Sequence, residues 1–290
     1  MRRFFYAVSD KPKGEEEVSY PKLSSVAVGK SIALTEAISH HWCRVLRATV
    51  GDIGVLFDGF GGEYTVQLHS ISKKQASATL LHFNDDDRTA PIFTKIGLVI
   101  SRGDRMDYAI QKSTELGVSA IQLLSSHHGE VTLKPAQIEK KLAHWQHIAI
   151  AACEQCGMNR VPLILSPLAI TQWLDNPIET SDTLLEISSV VQTLANDSYY
   201  QAINKKADIR LQMSVPRKDQ PLMPEALAAV LALDKPYIEL LVGPEGGLSD
   251  DERQQAEQVG FLPWQLGTRV LRTETAPVVA LATLQALKNK

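Results

Sequence analysis

The chain has 290 residues, 44% of them hydrophobic and 22% charged, with a formal net charge of −3. That length supports one large or two ordinary domains with a substantial core, and the composition is that of an ordinary soluble globular protein. No stretch approaches the roughly 20 apolar residues that span a bilayer, no signal peptide is expected at the amino terminus, and three cysteines do not make a disulfide framework. A reducing cytoplasm is therefore the expected compartment. The small negative charge argues against indiscriminate coating of nucleic acid, while leaving room for a local basic face.

In chain order, residues 1–84 read as short strands with turn signals between them, clearest at 31–34, 53–58, 63–70 and 76–83. Asp58-Gly59 and Gly61-Gly62 mark a hairpin loop, and a helix over 36–47 is expected behind a Thr35 cap. Segment 10–22 reads as a solvated loop. Short strands with a single helix suggest a small β-barrel, either one that carries RNA or a β-rich accessory domain with no ligand. The polar, proline-terminated run 85–91 is the best boundary, giving domains over 1–86 and 92–290.

Beyond the boundary strands and helices alternate. Strands are expected at 95–101, 119–124, 161–165, 183–187, 209–215 and 238–242, and helices over 104–116, from Pro135 to about Cys153, and over about 190–204. Such alternation implies a parallel sheet with helices on both faces. The tail is the most informative part. The apolar run 237–242 stops at Gly243-Pro244-Glu245-Gly246-Gly247, and Ser249 with Glu252 makes a capping box for a helix ending near Gly260. A short strand and the polar loop Leu266–Thr275 follow, then an apolar helix over 278–287 with Thr275 as cap and Pro277 in its first turn. Two loops able to hold a ligand thus lie at the carboxyl ends of neighbouring strands, where open α/β sheets bind small molecules.

The Gly243–Gly247 loop lacks the spacing of a dinucleotide fingerprint and the Lys-Ser/Thr of a P-loop, and Glu245 would repel a phosphate. It fits a cationic ligand, or one held by backbone groups; the alternative is a tight structural turn. Arg269, Arg272 and Glu274 around the second loop offer a fork of donors beside an acid, against the plainer reading of a surface ion-pair cluster. Cys153 and Cys156, three apart on one helix with His144 and His147 upstream, read as packed residues rather than metal ligands, since no second Cys pair exists. The adjacent pairs His40-His41 and His127-His128 read as surface or packing residues, and no G-x-S-x-G elbow supports a hydrolase.

The stretches "LLVGPEGGLSDDE" and "LGTRVLRTETAPVVAL", with "SRGDRMDYAIQKSTELGV" at 101–118 and "AIAACEQCGMNRVP" at 149–162, resemble the signature of the RsmE family. These are the uridine-N3 methyltransferases of 16S ribosomal RNA, of the SPOUT class. Arg2 and Arg3, "HHWCRVLR" at 40–47 and "LFDGFGGEY" at 56–64 resemble the family's PUA-like RNA-binding barrel. Met158 departs from the basic or polar residue expected there, and residues 175–206 look like an insertion.

The resemblance implies a knotted SPOUT-type parallel sheet with an N-terminal PUA-like barrel, a homodimer whose partner's knot completes each site, and 16S ribosomal RNA or the small subunit as substrate. It needs no metal. S-adenosylmethionine would sit among three loops, touching Met213 on the first. On the second it would meet Leu241, Val242, Gly243, Glu245, Gly246 and Gly247, and on the third Leu266, Gly267, Val270, Leu271, Thr273 and Ala276. Its adenine would be held by backbone groups. Glu274 would serve as base and Arg272 as charge stabiliser, while Arg3, Arg44, Arg47, Arg102 and Arg160 would hold RNA. A non-catalytic RNA-binding assembly factor and a nucleotide-dependent α/β enzyme are the competing readings.

Overall fold

A computed structural model describes residues 2–8, 20–73, 75–175, 189–217 and 221–289. The chain packs as two units: residues 1–89 with 153–161, and residues 90–152 with 162–290.

The first unit is built on strands β1 (Arg2–Phe5), β2 (Ser31–Ala33), β3 (Ile53–Phe57), β4 (Glu63–Ile71) and β5 (Ala76–Asn84). They form one sheet in the order β1-β3-β4-β5-β2, with β1 parallel to β3 and the β3–β4–β5–β2 pairings antiparallel. Alternate residues of β4 and β5 turn inward, so Val66, Leu68, Ala78 and Leu80 join Tyr6, Leu34, Trp42 and Leu56 in a single core. Asp58, 5% exposed, ties the β3–β4 loop to the segment before β2 by accepting from the backbone N–H groups of Leu23 and Phe60 at 2.9 and 3.3 Å.

One expectation needs correction here. The helix after Thr35 begins as read, with Thr35 Oγ1 accepting from Ile38 N–H at 3.3 Å, but after Glu36–Ile38 (α1) it widens into a π-helix over Ser39–Val45. That wider turn carries Trp42, 1% exposed, whose ring lies against Gly54. Residues 153–161 group with the first unit. Arg160 fixes this segment, with Nε 2.7 Å from the Asp87 carboxylate and Nη2 donating to Phe60 O at 3.1 Å.

The second unit contains β6 (Phe93–Val99), α2 (Asp104–Glu115), β7 (Ala120–Ser125), α3 (Pro135–Cys156), β8 (Leu163–Ala169), α4 (Ile170–Asp175) and α5 (Ser189–Ala195). It continues with β9 (Ile209–Met213), α6 (Ala226–Leu231), β10 (Tyr237–Val242), α7 (Asp250–Gln258), β11 (Phe261–Trp264) and α8 (Ala276–Lys288). The last turn of α3 belongs to the first unit. The six strands form a wholly parallel sheet in the order β11-β9-β10-β6-β7-β8. Every residue of β6 and β10 is buried, as expected of central parallel strands covered on both faces. On one face Trp173 of α4 and Ala256 of α7 pack over Val99, Leu124 and Leu241; α8 packs with α2, α6 and β10. That first face also carries charge: Glu239 sits between Lys95 and Arg210 in the strand register, 3.8 Å and 2.9 Å away.

The expected strand at 183–187 lies outside the described residues. Instead of one helix over 190–204 there is α5 followed by a 3₁₀ turn at Tyr200–Asn204. Thr275 makes no side-chain cap bond, because its own backbone is already helical (φ −86°, ψ −35°); Pro277 does occupy the first turn of α8. Among the described residues no helix is long and apolar enough to cross a membrane.

Candidate active site

Because all six strands run the same way, the segments leaving β9, β10 and β11 emerge along one edge of the sheet, and those three strands are neighbours. The three segments surround a cleft of about 320 Å³, within the size range of sites for small organic ligands. Hydrogen bonds hold them together. Ser214 N–H donates to Trp264 O at 3.0 Å, Arg217 N–H to Gln265 Oε1 at 2.9 Å, and Thr273 Oγ1 to Gly243 O at 3.3 Å.

The middle loop is shaped by its glycines. Gly247 has φ +73°, a left-handed conformation that side-chain-bearing residues rarely adopt, and its N–H closes a turn onto Pro244 O at 2.9 Å. A Cβ on Gly246 would lie 3.2 Å from His128 Cβ. The capping box is present, with Ser249 Oγ accepting from Glu252 N–H and Glu252 accepting in return from Ser249 N–H. Glu252 also accepts from His127 N–H at 2.7 Å, and His128 Nδ1 lies 3.2 Å from Gly247 O. The histidine pair therefore buttresses the glycine loop, a role that adjacency in sequence gave no means of reading.

Of the residues expected to hold a cofactor, the cleft is lined by Met213, Val242, Gly243, Glu245, Gly246 and Gly247, and by Leu266, Val270, Leu271, Thr273 and Ala276. Leu241 is instead wholly buried in the core beneath, because strand alternation turns it onto the face packed by α4 and α7. Gly267 is not part of the lining; it supplies a turn with φ +94°. Residues not anticipated include Gln212, Trp264 and Pro263 from the strands and Arg253 of α7; Arg269, read from the sequence as a donor beside the second loop, does line the wall, as does Arg217. Glu245 is not an isolated charge: Arg105 at the start of α2 forms an ion pair with it. This offsets much of the repulsion that Glu245 alone would exert on an anion.

Arg272 and Glu274 lie outside the cleft lining, on the turn closed by Thr275 N–H and Ala276 N–H onto Arg272 O. Their side chains approach to 3.9 Å, Arg272 being 74% exposed and Glu274 only 12%. One carboxylate oxygen of Glu274 is enclosed with no hydrogen-bond partner among the described residues.

The five arginines expected to hold RNA divide. Arg3 and Arg160 have side chains only 10% and 11% exposed and are engaged internally, Arg3 with the Glu63 carboxylate and Met158 O, and Arg160 with Asp87. They fasten the 153–161 segment within the first unit, so the structure does not present them as free phosphate contacts. Arg44 donates to Lys73 O at 2.9 Å and Arg47, exposed, has φ +55°. Arg102 is 71% exposed and pairs with Glu130 at 3.2 Å. Arg2, exposed and bonded to Leu46 O at 3.3 Å, belongs with Arg44 and Arg47 as a cation without a carboxylate partner among the described residues. Cys153 is buried and Cys156 exposed, and among the described residues no three His, Cys, Asp or Glu side chains gather as a metal site.

Comparison with known proteins agrees with this geometry. Residues 88–285 match the RNA methyltransferase domain family, and residues 34–81 the RNA methyltransferase PUA domain family. The ribosomal RNA small subunit methyltransferase E of Synechocystis is 31% identical over 89% of this chain and 73% of its own length. That of Buchnera aphidicola from Acyrthosiphon pisum is 29% identical over 88% and 87%. A crystal structure of the Neisseria gonorrhoeae ribosomal RNA small subunit methyltransferase E bound to S-adenosyl methionine superposes with a TM-score of 0.73 at 33% identity, covering 99% of this chain and 98% of that one. The chain belongs to the RNA methyltransferase family that contains the ribosomal RNA small subunit methyltransferase E proteins.

Proposed function

We propose that the chain is an S-adenosylmethionine-dependent methyltransferase of small-subunit ribosomal RNA, acting on N3 of one uridine. The observation that carries this reading is the cleft at the carboxyl ends of β9, β10 and β11, in a chain of this family. The residues present suit the donor. Apolar walls from Val242, Leu248, Trp264, Leu266 and Leu271 suit a flat ring, and glycines let loop backbone approach it closely. Bound there, S-adenosylmethionine supplies a methyl group activated on a sulfonium sulfur.

The chain must then make uridine N3 nucleophilic, which requires removal of its proton and stabilisation of the resulting imidate. Glu274, beside the cleft-lining Thr273 and still 12% exposed, is the carboxylate assigned to take the proton. Arg272, 3.9 Å from that carboxylate and largely exposed, reaches outward to steady the imidate or an adjacent phosphate. Because N3 lies on the pairing edge, the target uridine is unpaired when it enters. The first unit carries RNA through Arg44, Arg47 and neighbouring cations. The loops from 213–217, 243–247 and 266–275 are read as the strands of a trefoil knot. Two copies are read as a dimer in which each knot completes the other's site, consistent with exposed Val215 and Val270 in the cleft lining. Cytoplasmic residence accords with this substrate.

Calorimetry with S-adenosylmethionine, followed by transfer of labelled methyl to 16S ribosomal RNA, tests the reading. Binding with label in RNA is expected. Binding without transfer would point to an assembly factor, and tighter binding of ATP or NAD to a nucleotide-dependent enzyme. Arg272→Ala is expected to lower turnover by about 100-fold or more; full turnover would remove Arg272 from the mechanism.

A further inference from the structure

The glycine loop after β10 lies between two kinds of neighbour. In the strand order β11-β9-β10-β6-β7-β8, β10 has β9 and then β11 on one side, and the segments leaving those strands complete the cleft. On its other side come β6 and β7, whose following segments lie outside the cleft lining. Two of their side chains reach across to the loop. Arg105, in the first turn of α2 after β6, forms an ion pair with Glu245. His128, in the turn after β7, places Nδ1 3.2 Å from Gly247 O. A carbonyl oxygen only accepts, so Nδ1 carries the hydrogen of that bond.

The loop runs through Gly243, Gly246 and Gly247, and glycine has more backbone freedom to lose on ordering than any other residue. The supports beside it are firm. Gly129 N–H donates to Ser126 O at 3.0 Å, and a Cβ on Gly129 would lie 3.0 Å from that oxygen, so the turn carrying His128 is tight. Glu252, 4% exposed, fixes the same turn by accepting from His127 N–H at 2.7 Å. Global stability does not account for the two contacts on the loop. The Arg105 and Glu245 side chains are 41% and 38% exposed and His128 is exposed, and polar contacts so open to water add little to folding.

We propose that Arg105 and His128 are positioning residues, which hold the Gly243–Gly247 loop in its ligand-ready shape from outside the cleft and so set the affinity for the methyl donor. A loop already ordered costs its ligand nothing to order. A loop that samples other shapes weakens apparent binding in proportion to the time it spends in them. This rests on the S-adenosylmethionine reading and adds to it a brace on the side of the loop away from the ligand. Neither residue takes part in the proton transfer.

The probe is S-adenosylhomocysteine, which lacks the sulfonium charge and so responds little to Glu245 losing its counter-ion. Calorimetry on the full chain is expected to show binding weaker by roughly threefold to tenfold in Arg105→Ala and in His128→Leu, with melting within about 2 °C of wild type. Amide exchange in the ligand-free variants should be faster at Gly247 N–H, which closes the loop onto Pro244 O. Arg105→Lys, which keeps the charge, and His128→Asn, which keeps an N–H near the place of Nδ1, should recover wild-type affinity. Unchanged affinity in one variant would remove that residue; unchanged affinity in both would overturn the assignment and leave the methyl-donor reading standing. Weaker binding matched by a fall in melting temperature, or not recovered by Lys and Asn, would also overturn it, as a loss of folding and not of positioning. Failure of wild-type protein to bind the probe would overturn the methyl-donor reading and this assignment together.

Discussion

Glu239→Gln is the sharpest perturbation of the scaffold beneath the cleft. Glu239 is 1% exposed, with Arg210 Nε 2.9 Å away on β9 and Lys95 Nζ 3.8 Å away on β6. At an effective dielectric constant near 20, those separations correspond to gross attractions of roughly 6 and 4 kcal/mol. Lost hydration of several kcal/mol per ion offsets most of this, so the intact cluster contributes little net stability. Removing the carboxylate alone is different, because two cations remain in the sheet without their shared counter-charge. The expected loss is about 3–5 kcal/mol. For a unit of this size that is a melting temperature lower by about 6–20 °C. Urea unfolding followed by tryptophan emission measures it, and Trp173, whose ring lies 5.8 Å from Lys95 Nζ, reports on the cluster itself. Replacing the set together (Lys95→Met, Glu239→Leu, Arg210→Met) should restore stability to wild type or above. A loss under about 1 kcal/mol for Glu239→Gln, or a triple variant as weak as the single, would refute the reasoning.

Two further outcomes follow from the first unit. Burial pushes the Glu154 carboxyl above its ordinary range, opposed in part by the hydrogen bond from Phe5 N–H and by His41 and Arg3. A raised native value means that the contribution is fully present below the ordinary carboxylate range and is lost as pH rises through the raised value. Glu154→Gln, which can still accept from Phe5 N–H, should therefore be the more stable form at neutral pH and show a flatter melting profile as pH rises above the ordinary carboxylate range; parallel profiles for the two proteins would contradict this. Arg47 is the one non-glycine with positive φ among the described residues. Arg47→Gly should melt at or above the wild-type temperature, because the left-handed conformation costs glycine nothing sterically. The same variant should lower the salt slope of RNA binding by about 0.7 to 1, and an unchanged slope would remove Arg47 from the RNA surface.

The sequence was most readable where local chemistry decides structure. The Ser249–Glu252 capping box, the apolar runs of β6 and β10 and the glycine loop after Val242 each depend on residues within a few positions of one another. What escaped depends on distant partners. Nothing near Glu245 in sequence announces Arg105, and nothing near Arg3 announces Glu63 or Met158, so charges read as available for ligand or RNA prove to be paired within the fold. Leu241 shows the limit of a loop-centred reading: one residue before Val242, it faces the core, because alternation along a strand changes the exposed face at every step.

The RNA itself carries the most direct test. Nucleoside mapping by mass spectrometry of 16S ribosomal RNA, from cells with and without this protein and after restoring the purified protein with S-adenosylmethionine in vitro, should find one N3-methyluridine that disappears and returns with it. A modification pattern identical in both cells, with no methyl added by the purified protein to RNA or to small subunits, would contradict it.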